Sequence, residues 1–345
     1  MRLLKLRLVP KSPFHLGQRG VGIEETEPLA RSDTIFSALC NCWLMLYGEQ
    51  GLEELLGRFL EGEPPFLLSS AFPYAGDVYF LPMPMNLARD ELRRTSFVSM
   101  GVWKALLEGE KPEHLFVQGR TLWLTRGELE RIPEGIVDRE ELADLYRERA
   151  HLEVGREERS RCYYIWRRGE APHVTVDRAS SSSEVFQEGD VYFADGCGMY
   201  ILAEVGDEEE KLLACFRLMG DEGLGGERSS GRGWFSLEFG EEEVPEGDGE
   251  LAMALSLVNP KDTEEARTLL CDRASYRLEL RRGWIYSPRA RNLYRRGVWM
   301  LAEGSVLGRT EGPPGRLVKV LGREVAPHDV YRYGFGLTIG LPEVA

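Results

Sequence analysis

No apolar run in this sequence approaches the roughly 20 residues that cross a bilayer. The opening Met1-Arg2-Leu3-Leu4-Lys5-Leu6 also lacks the apolar stretch and cleavage site of a signal peptide. A cytoplasmic protein is therefore expected. Cysteine is sparse: Cys40, Cys42, Cys162, Cys197, Cys215 and Cys271 are scattered, with no Cys-x-x-Cys spacing. That pattern argues against both a zinc site and a disulfide framework, and predicts small, buried thiols. The most glycine-rich stretch, residues 220–235, contains no lysine, so it cannot form a Walker loop. It also leads out of a predicted helix into a predicted strand, the reverse of a dinucleotide fingerprint. Contact with a phosphate backbone, without nucleotide hydrolysis and without a cofactor, is the chemistry that these absences leave open.

What the chain does contain is enough for two domains with real cores: 345 residues, 43% of them hydrophobic. The formal net charge of -14 is unfavourable for a nucleic-acid binder, but it is unevenly spread. Residues 206–250 hold 14 acids against 4 bases, whereas residues 277–332 hold 12 bases against 5 acids. A chain divided in this way can offer a basic groove to RNA and an acidic surface to protein partners, or simply two solvated faces.

Along the chain, Leu4-Lys5-Leu6-Arg7-Leu8 alternates as a half-buried strand should. Ser32-Asp33-Thr34 reads as a capped helix start, followed by Ile35, Phe36, Leu39 and Trp43 at helical spacing, with a second short helix after Gly48. Two strands around Gly76-Asp77 form a predicted hairpin. Residues 87–160 are charged and irregular, with helical hints at 99–108 and 138–150, and read as an insertion outside the sheet. A short strand at 172–178 runs into the serine run Ser180–Ser183, and a second hairpin is expected around Asp195-Gly196. A helix over 208–219 then leads into the glycine loop and a strand from Trp234. This order is the split βαβ arrangement of a ferredoxin-like fold, with one sheet face left free for a ligand. The acidic, Gly- and Pro-containing run 241–249 marks a boundary between residues 1–245 and a mostly β half, 246–345. That second half interleaves Arg281, Arg282, Arg289, Arg291, Arg295 and Arg296 with Trp284, Tyr286, Tyr294 and Trp299. Arginine beside aromatics suits phosphate contact and base stacking.

The candidate site residues follow from these elements. Gly223, Gly225, Gly226, Gly231 and Gly233 let a loop turn several amides toward one anion. Arg228 and Arg232 add charge, and Ser229 and Ser230 add hydroxyl donors. Arg31 and Ser32 stand at a helix mouth, where amides favour anions. His15 lies at the exit of the first strand, beside Gly17, and is read either as a structural hydrogen-bonder or as a general base. His173 and Arg178 present polar groups in the predicted 172–178 segment, and Arg332 and Tyr333 sit in a predicted C-terminal glycine turn.

Five motifs in this order resemble one family. They are Ser-Pro-Phe-His-Leu-Gly at 12–17, Ser-Asp-Thr-Ile-Phe-Ser-Ala-Leu at 32–39, His173 to Arg178, Gly-Gly-Glu-Arg-Ser-Ser-Gly-Arg-Gly at 225–233, and Tyr-Arg-Tyr-Gly-Phe-Gly at 331–336. Together they look like the fourth subunit of the type III-A CRISPR effector, the Csm complex, within the repeat-associated (RAMP) superfamily. The resemblance covers the chain except for 87–160. It implies an α+β protein of two RRM-like (ferredoxin-like) domains, the second degenerate and β-rich. It also implies a non-catalytic subunit that grips the 5′ handle of crRNA and joins the large polymerase-type subunit to the adjacent RAMP backbone subunit. A thumb-like hairpin within 160–190 is implied as well. Three alternatives stand beside it: a metal-independent endoribonuclease using His15 or His173, the handle-binding subunit of a type III-B complex, and a protein-only scaffold.

Overall fold

The computed structural model describes residues 1–17, 26–88, 92–133, 136, 164–176, 183–285, 287 and 293–343. Arg178 lies outside this set, as do Cys162, Arg289, Arg291, Tyr286 and the predicted helix at 138–150. The protein is mixed α+β, with one large sheet and few helices.

In the first half, β1 (Arg2–Pro10) leads to helix α1 (Ser32–Glu61). There follow β2 (Phe66–Leu68), β3 (Phe72–Ala75), β4 (Val78–Pro82), β5 (Phe97–Ser99), α2 (Met100–Leu107), β6 (Leu115–Val117), β7 (Leu122–Leu124) and α3 (Arg126–Leu129). Next come two long strands, β8 (Trp166–Val176) and β9 (Ser183–Phe193), then β10 (Cys197–Val205), α4 (Glu209–Glu222) and β11 (Phe235–Glu243). The main sheet runs β11-β1-β10-β3-β4-β5-β7-β6, with β2 also on β10. β1 lies antiparallel to both β10 and β11.

Several expectations hold. α1 is interrupted at Gly48, whose φ of 70° breaks the helical run where the second helix was expected. β3 and β4 pair across Gly76-Asp77, with Tyr74 opposite Tyr79. Cys42, Cys197 and Cys215 are buried free thiols, while Cys40 and Cys271 are half-buried. Burial pushes Cys40 up to about 12 and Cys42 up to about 11.

Other expectations are corrected. The 87–160 segment is not outside the sheet, because β5, β7 and β6 extend it from the edge of β4. Trp103 of α2 reaches back to donate its indole N–H to the Pro245 carbonyl, 2.7 Å away. The hairpin around Asp195-Gly196 does not form. β10 pairs with β1 and β3 instead, and β9 pairs with β8 over eleven residues from Trp166↔Phe193 to Val176↔Ser183. The sheet face opposite Leu4, Leu6 and Leu8 is not free either. Register puts Leu3, Arg7, Tyr200 and Tyr74 together on that side, and Leu3, Tyr200 and Tyr74 are buried. Arg7 lies over the Tyr74 ring and Lys5 over the Tyr79 ring, at 4.2 and 4.1 Å, closing the face with a cation-aromatic layer.

The second half contains β12 (Leu251–Ala254), α5 (Thr263–Leu269), β13 (Leu278–Arg281), β14 (Val298–Leu301), β15 (Val306–Gly308), β16 (Gly315–Leu321), β17 (Val330–Phe335) and β18 (Thr338–Gly340). Among the described residues these form three small sheets, β15-β12-β18, β13-β14 and β16-β17. The segment 331–336, expected as a glycine turn, is strand β17 through Phe335. Its side chains enter the first half's core: Tyr333 stacks on Phe36 at 4.9 Å, and Phe335 packs near Phe59 at 5.7 Å. One hydrophobic cluster therefore includes both Leu6 and Ile339.

Candidate nucleic-acid interface

α4 ends at Glu222, and the chain then turns through Gly223 into a compact loop. Leu224 is fully buried and anchors it. Gly225 has φ 107°, and a Cβ there would lie 2.4 Å from the His15 carbonyl oxygen. Gly233 has φ 80°, and its Cβ would meet the Leu224 carbonyl oxygen at 2.3 Å. At these two positions the loop requires both positive φ and a bare backbone, so only glycine fits. The amides of Gly226 and Gly233 donate to the carbonyls of His15 and Pro13, both at 2.8 Å. These bonds tie the loop to the chain leaving β1.

This tying corrects the expected anion cradle. The amides of Gly223, Leu224, Gly226, Ser230, Gly231, Arg232 and Gly233 all donate to carbonyls of the chain itself. Arg232 is also a clamp: Nε and Nη2 reach the two carboxylate oxygens of Asp190 at 3.3 and 3.1 Å, and Nη1 reaches the Ser230 carbonyl at 3.1 Å. Asp190, on β9, is fully buried, so this bidentate pair pins the loop to the base of the long ribbon. His15 lies beneath, its Nδ1 2.8 Å from the Gly189 carbonyl, with Gly17 exposed beside it.

The outward-facing loop chemistry is therefore side-chain chemistry. A short 3-10 turn, Arg228–Ser230, is bracketed by Glu227 and Gly231, both left-handed. Ser229 and Ser230 are exposed and Arg228 is half-buried. Trp234 is 45% exposed at the loop's exit, and its carbonyl accepts from the amide of exposed Lys11. In sequence Trp234 reads only as a strand start, and Asp190 does not stand out at all. An aromatic directly after Arg-Gly is the available signal for Trp234.

The remaining candidates fall into different places. His173 pairs with Phe186 in the backbone ladder of β8 and β9, remote in sequence from the loop. Arg31, Ser32, Arg332 and Tyr333 are brought together with one another but not with the loop. The Ser32 side chain accepts from the Leu257 amide, and its own amide donates to Ser70, so it bridges elements rather than capping α1. Arg31 bonds Glu27 at 3.1 Å and also Glu303. Burial alone would lower its pKa, but these carboxylates raise it. The Tyr333 hydroxyl accepts from the Leu68 amide at 3.0 Å inside the core. Asp33, 1% exposed, takes Arg281 through two bonds of 3.1 and 3.0 Å and a further bond from Arg332. Burial pushes the Asp33 carboxyl up, yet the two guanidiniums overturn that and hold it well below the usual carboxylate range. Arg281 and Arg332, expected in a basic surface, are thus internal ion-pair partners.

With this geometry in hand, the similarity to known proteins is specific. Residues 247–341 match the family model described as the CRISPR Csm4 C-terminal domain. The chain is 25% identical over 351 residues to "CRISPR system Cms protein Csm4" of Thermococcus onnurineus, covering 99% of this chain and 98% of the relative. It is 28% identical over 337 residues to the Mycobacterium tuberculosis protein of the same name, covering 96% and 95%. Its fold resembles a chain of the Csm3-Csm4 subcomplex of the type III-A interference complex, with TM-score 0.65, 19% identity and 99% of both chains covered. It also resembles a chain of the Csm1-Csm4 cassette in complex with cA4, with TM-score 0.58, 22% identity and full coverage. The class to which these likenesses point is that of CRISPR-system proteins. Within that class the similarity is to Csm4, the fourth subunit of the type III-A effector, as the sequence motifs had implied.

Proposed function

We propose that this chain is a non-catalytic assembly subunit of a type III CRISPR effector that grips the 5′ handle of crRNA with its glycine-rich loop. It joins a Csm1-type large subunit to a Csm3-type backbone subunit. Assembly with those two partners is carried by full-length similarity to proteins named Csm4 and by fold likeness to chains found with Csm1 and with Csm3. The sheet order β11-β1-β10-β3, crossed by α1 and α4, supports an RRM-like first half, and the three small sheets support a degenerate second one. The β8-β9 ribbon, a separate two-stranded pair over 166–193, suits the thumb role and ends three residues beyond the expected 160–190.

The observation that carries RNA contact is the loop itself: Ser229, Ser230 and Trp234 exposed on a turn fixed at both ends. Hydroxyls serve phosphate oxygens, and an exposed indole offers a stacking face. Arg232 stabilises the turn, so a discriminating test spares it. In a reconstituted complex, R228A/S229A/S230A is expected to weaken crRNA retention by about tenfold and to flatten its salt dependence. Ultraviolet crosslinking of the unaltered complex is expected to attach RNA to peptides around 223–235. Equal retention by the triple variant, together with crosslinks confined to other peptides, would overturn the reading and leave the loop a protein contact.

A further inference from the structure

A second candidate site lies in the other half of the molecule, between the β13-β14 and β16-β17 ribbons. A cleft of about 460 Å³ is lined there by Arg282, Tyr294, Arg295, Arg296, Lys319 and Glu324, among others. Arg282 and Arg296 are exposed. Lys319 is balanced by Asp329 at 3.1 Å, so the wall retains more positive charge than its own acids offset. Tyr294, 38% exposed, packs edge-on against Trp284, 50% exposed, with ring centres 5.1 Å apart.

The excess continues behind the cleft wall. The Arg295 guanidinium reaches inward to the Ser37 hydroxyl at 3.2 Å, toward the first turn of α1. There Arg281 and Arg332 already hold Asp33. Nε of Arg295 and Nε of Arg332 are buried with no hydrogen-bond partner among the described residues, and Nη1 of Arg281 has only the Glu27 carboxylate, 3.8 Å away, beyond hydrogen-bond reach. Buried cationic donors left unmatched are costly unless a negative charge lies near. Burial, together with repulsion from Arg332, pushes Arg295 down to about 10, the mark of a cation short of counter-charge.

We propose that this cleft binds a phosphate group, with Arg282 and Arg296 as its direct ligands and the Tyr294 ring at its rim. The two arginines stand at the same end of the β13-β14 ribbon, just past the Arg281↔Val298 pair, and a Cβ on Gly297 would lie 3.2 Å from Nε of Arg282, so the bare backbone at 297 keeps space for that side chain. Guanidinium forks match phosphate oxygens, and the adjoining aromatic ring suits a nucleoside. The cationic wall behind adds long-range attraction without contact. This site stands apart from the glycine loop, and its assignment does not rest on the loop's function.

The test is calorimetric titration of the full chain at low salt with adenosine 5′-monophosphate, inorganic phosphate and adenosine. The monophosphate and phosphate are expected to bind, adenosine to bind at least about tenfold more weakly, and R282A/R296A to lose about tenfold in affinity for the monophosphate with an unchanged Tm. A ten-nucleotide single-stranded RNA then separates the sources. Loss of its affinity in the double variant assigns the cleft to a phosphate of an RNA chain, and retained affinity assigns it to a free mononucleotide or anion. Adenosine binding as well as its monophosphate, or a double variant that binds the monophosphate like the unaltered chain, would sink the proposal. Because crosslinking at 223–235 reads a different surface, either proposal can fail alone.

Discussion

At the scale of single residues, Asp33 has the largest consequences. Its carboxylate stands between Arg281 and Arg332, 248 and 299 positions away in sequence. No local pattern announces such partners, which is why Arg332 and Tyr333 read as site residues and Ser32 as a cap. The motif was legible; its meaning depended on contacts across the whole chain. Asp33→Asn leaves Arg332 buried without its carboxylate partner and Arg281 with only Glu27, 3.8 Å away, and is expected to destabilise by about 3–5 kcal/mol at pH 7. The carboxyl's folded pKa is depressed below its unfolded value of about 3.9. Its contribution is therefore present above about pH 4 and is lost as pH falls through the folded value. Urea unfolding should show the gap between the unaltered chain and D33N at its full size at pH 7 and narrowing below about pH 4. A gap independent of pH would remove Asp33's charge from the account.

At the scale of elements, the glycine loop shows how far pattern carries. Its position after a helix and before a strand was legible, because glycine spacing and the flanking apolar periods are local signals. Its backbone departs from the expectation. Glycine density suggested amides turned outward, whereas most of those amides are satisfied by Pro13, His15 and the loop itself. The same density serves close packing, and the two glycines that face backbone can be told from one that does not. At Gly231 φ is also positive, yet nothing lies within 4 Å of the place a Cβ would take. Gly231→Ala should therefore carry only the conformational penalty, about 1 kcal/mol, while Gly233→Ala also clashes with Leu224 and should exceed it. Thermal unfolding gives the ranking, and hydrogen exchange at the Gly226 amide reports whether the loop has come off. Equal effects of the two substitutions would refute the packing argument. The β8-β9 ribbon reads in sequence only as fragments, a short strand at 172–178 and Val191-Tyr192-Phe193, because its eleven-residue pairing is a contact between strands that no single stretch displays.

At the scale of the whole molecule, the composition break at 241–249 is real in sequence, but the core does not respect it. Phe36 and Phe59 of α1 pack on Tyr333 and Phe335, and Leu257 bonds Ser32. Side chains from both halves fill one interior, so each half buries apolar surface that the other supplies. A chain ending at residue 245 is expected to lose its cooperative thermal transition and its near-ultraviolet circular dichroism. A soluble 1–245 fragment with a sharp transition would show instead that the first half is self-sufficient. The net charge of -14 likewise proved uninformative as a total. Glu241 and Glu238 answer Arg2 and Arg7 across the β1-β11 pair, while several of the second half's arginines are internal.

The Arg232-Asp190 clamp joins two parts: a turn bonded to the chain leaving β1, and the two-stranded arm β8-β9. Deflecting the arm displaces Asp190 with it, and the turn must then either follow or surrender a buried carboxylate. Movement of the ribbon and movement of the turn are in this way mechanically geared to one another.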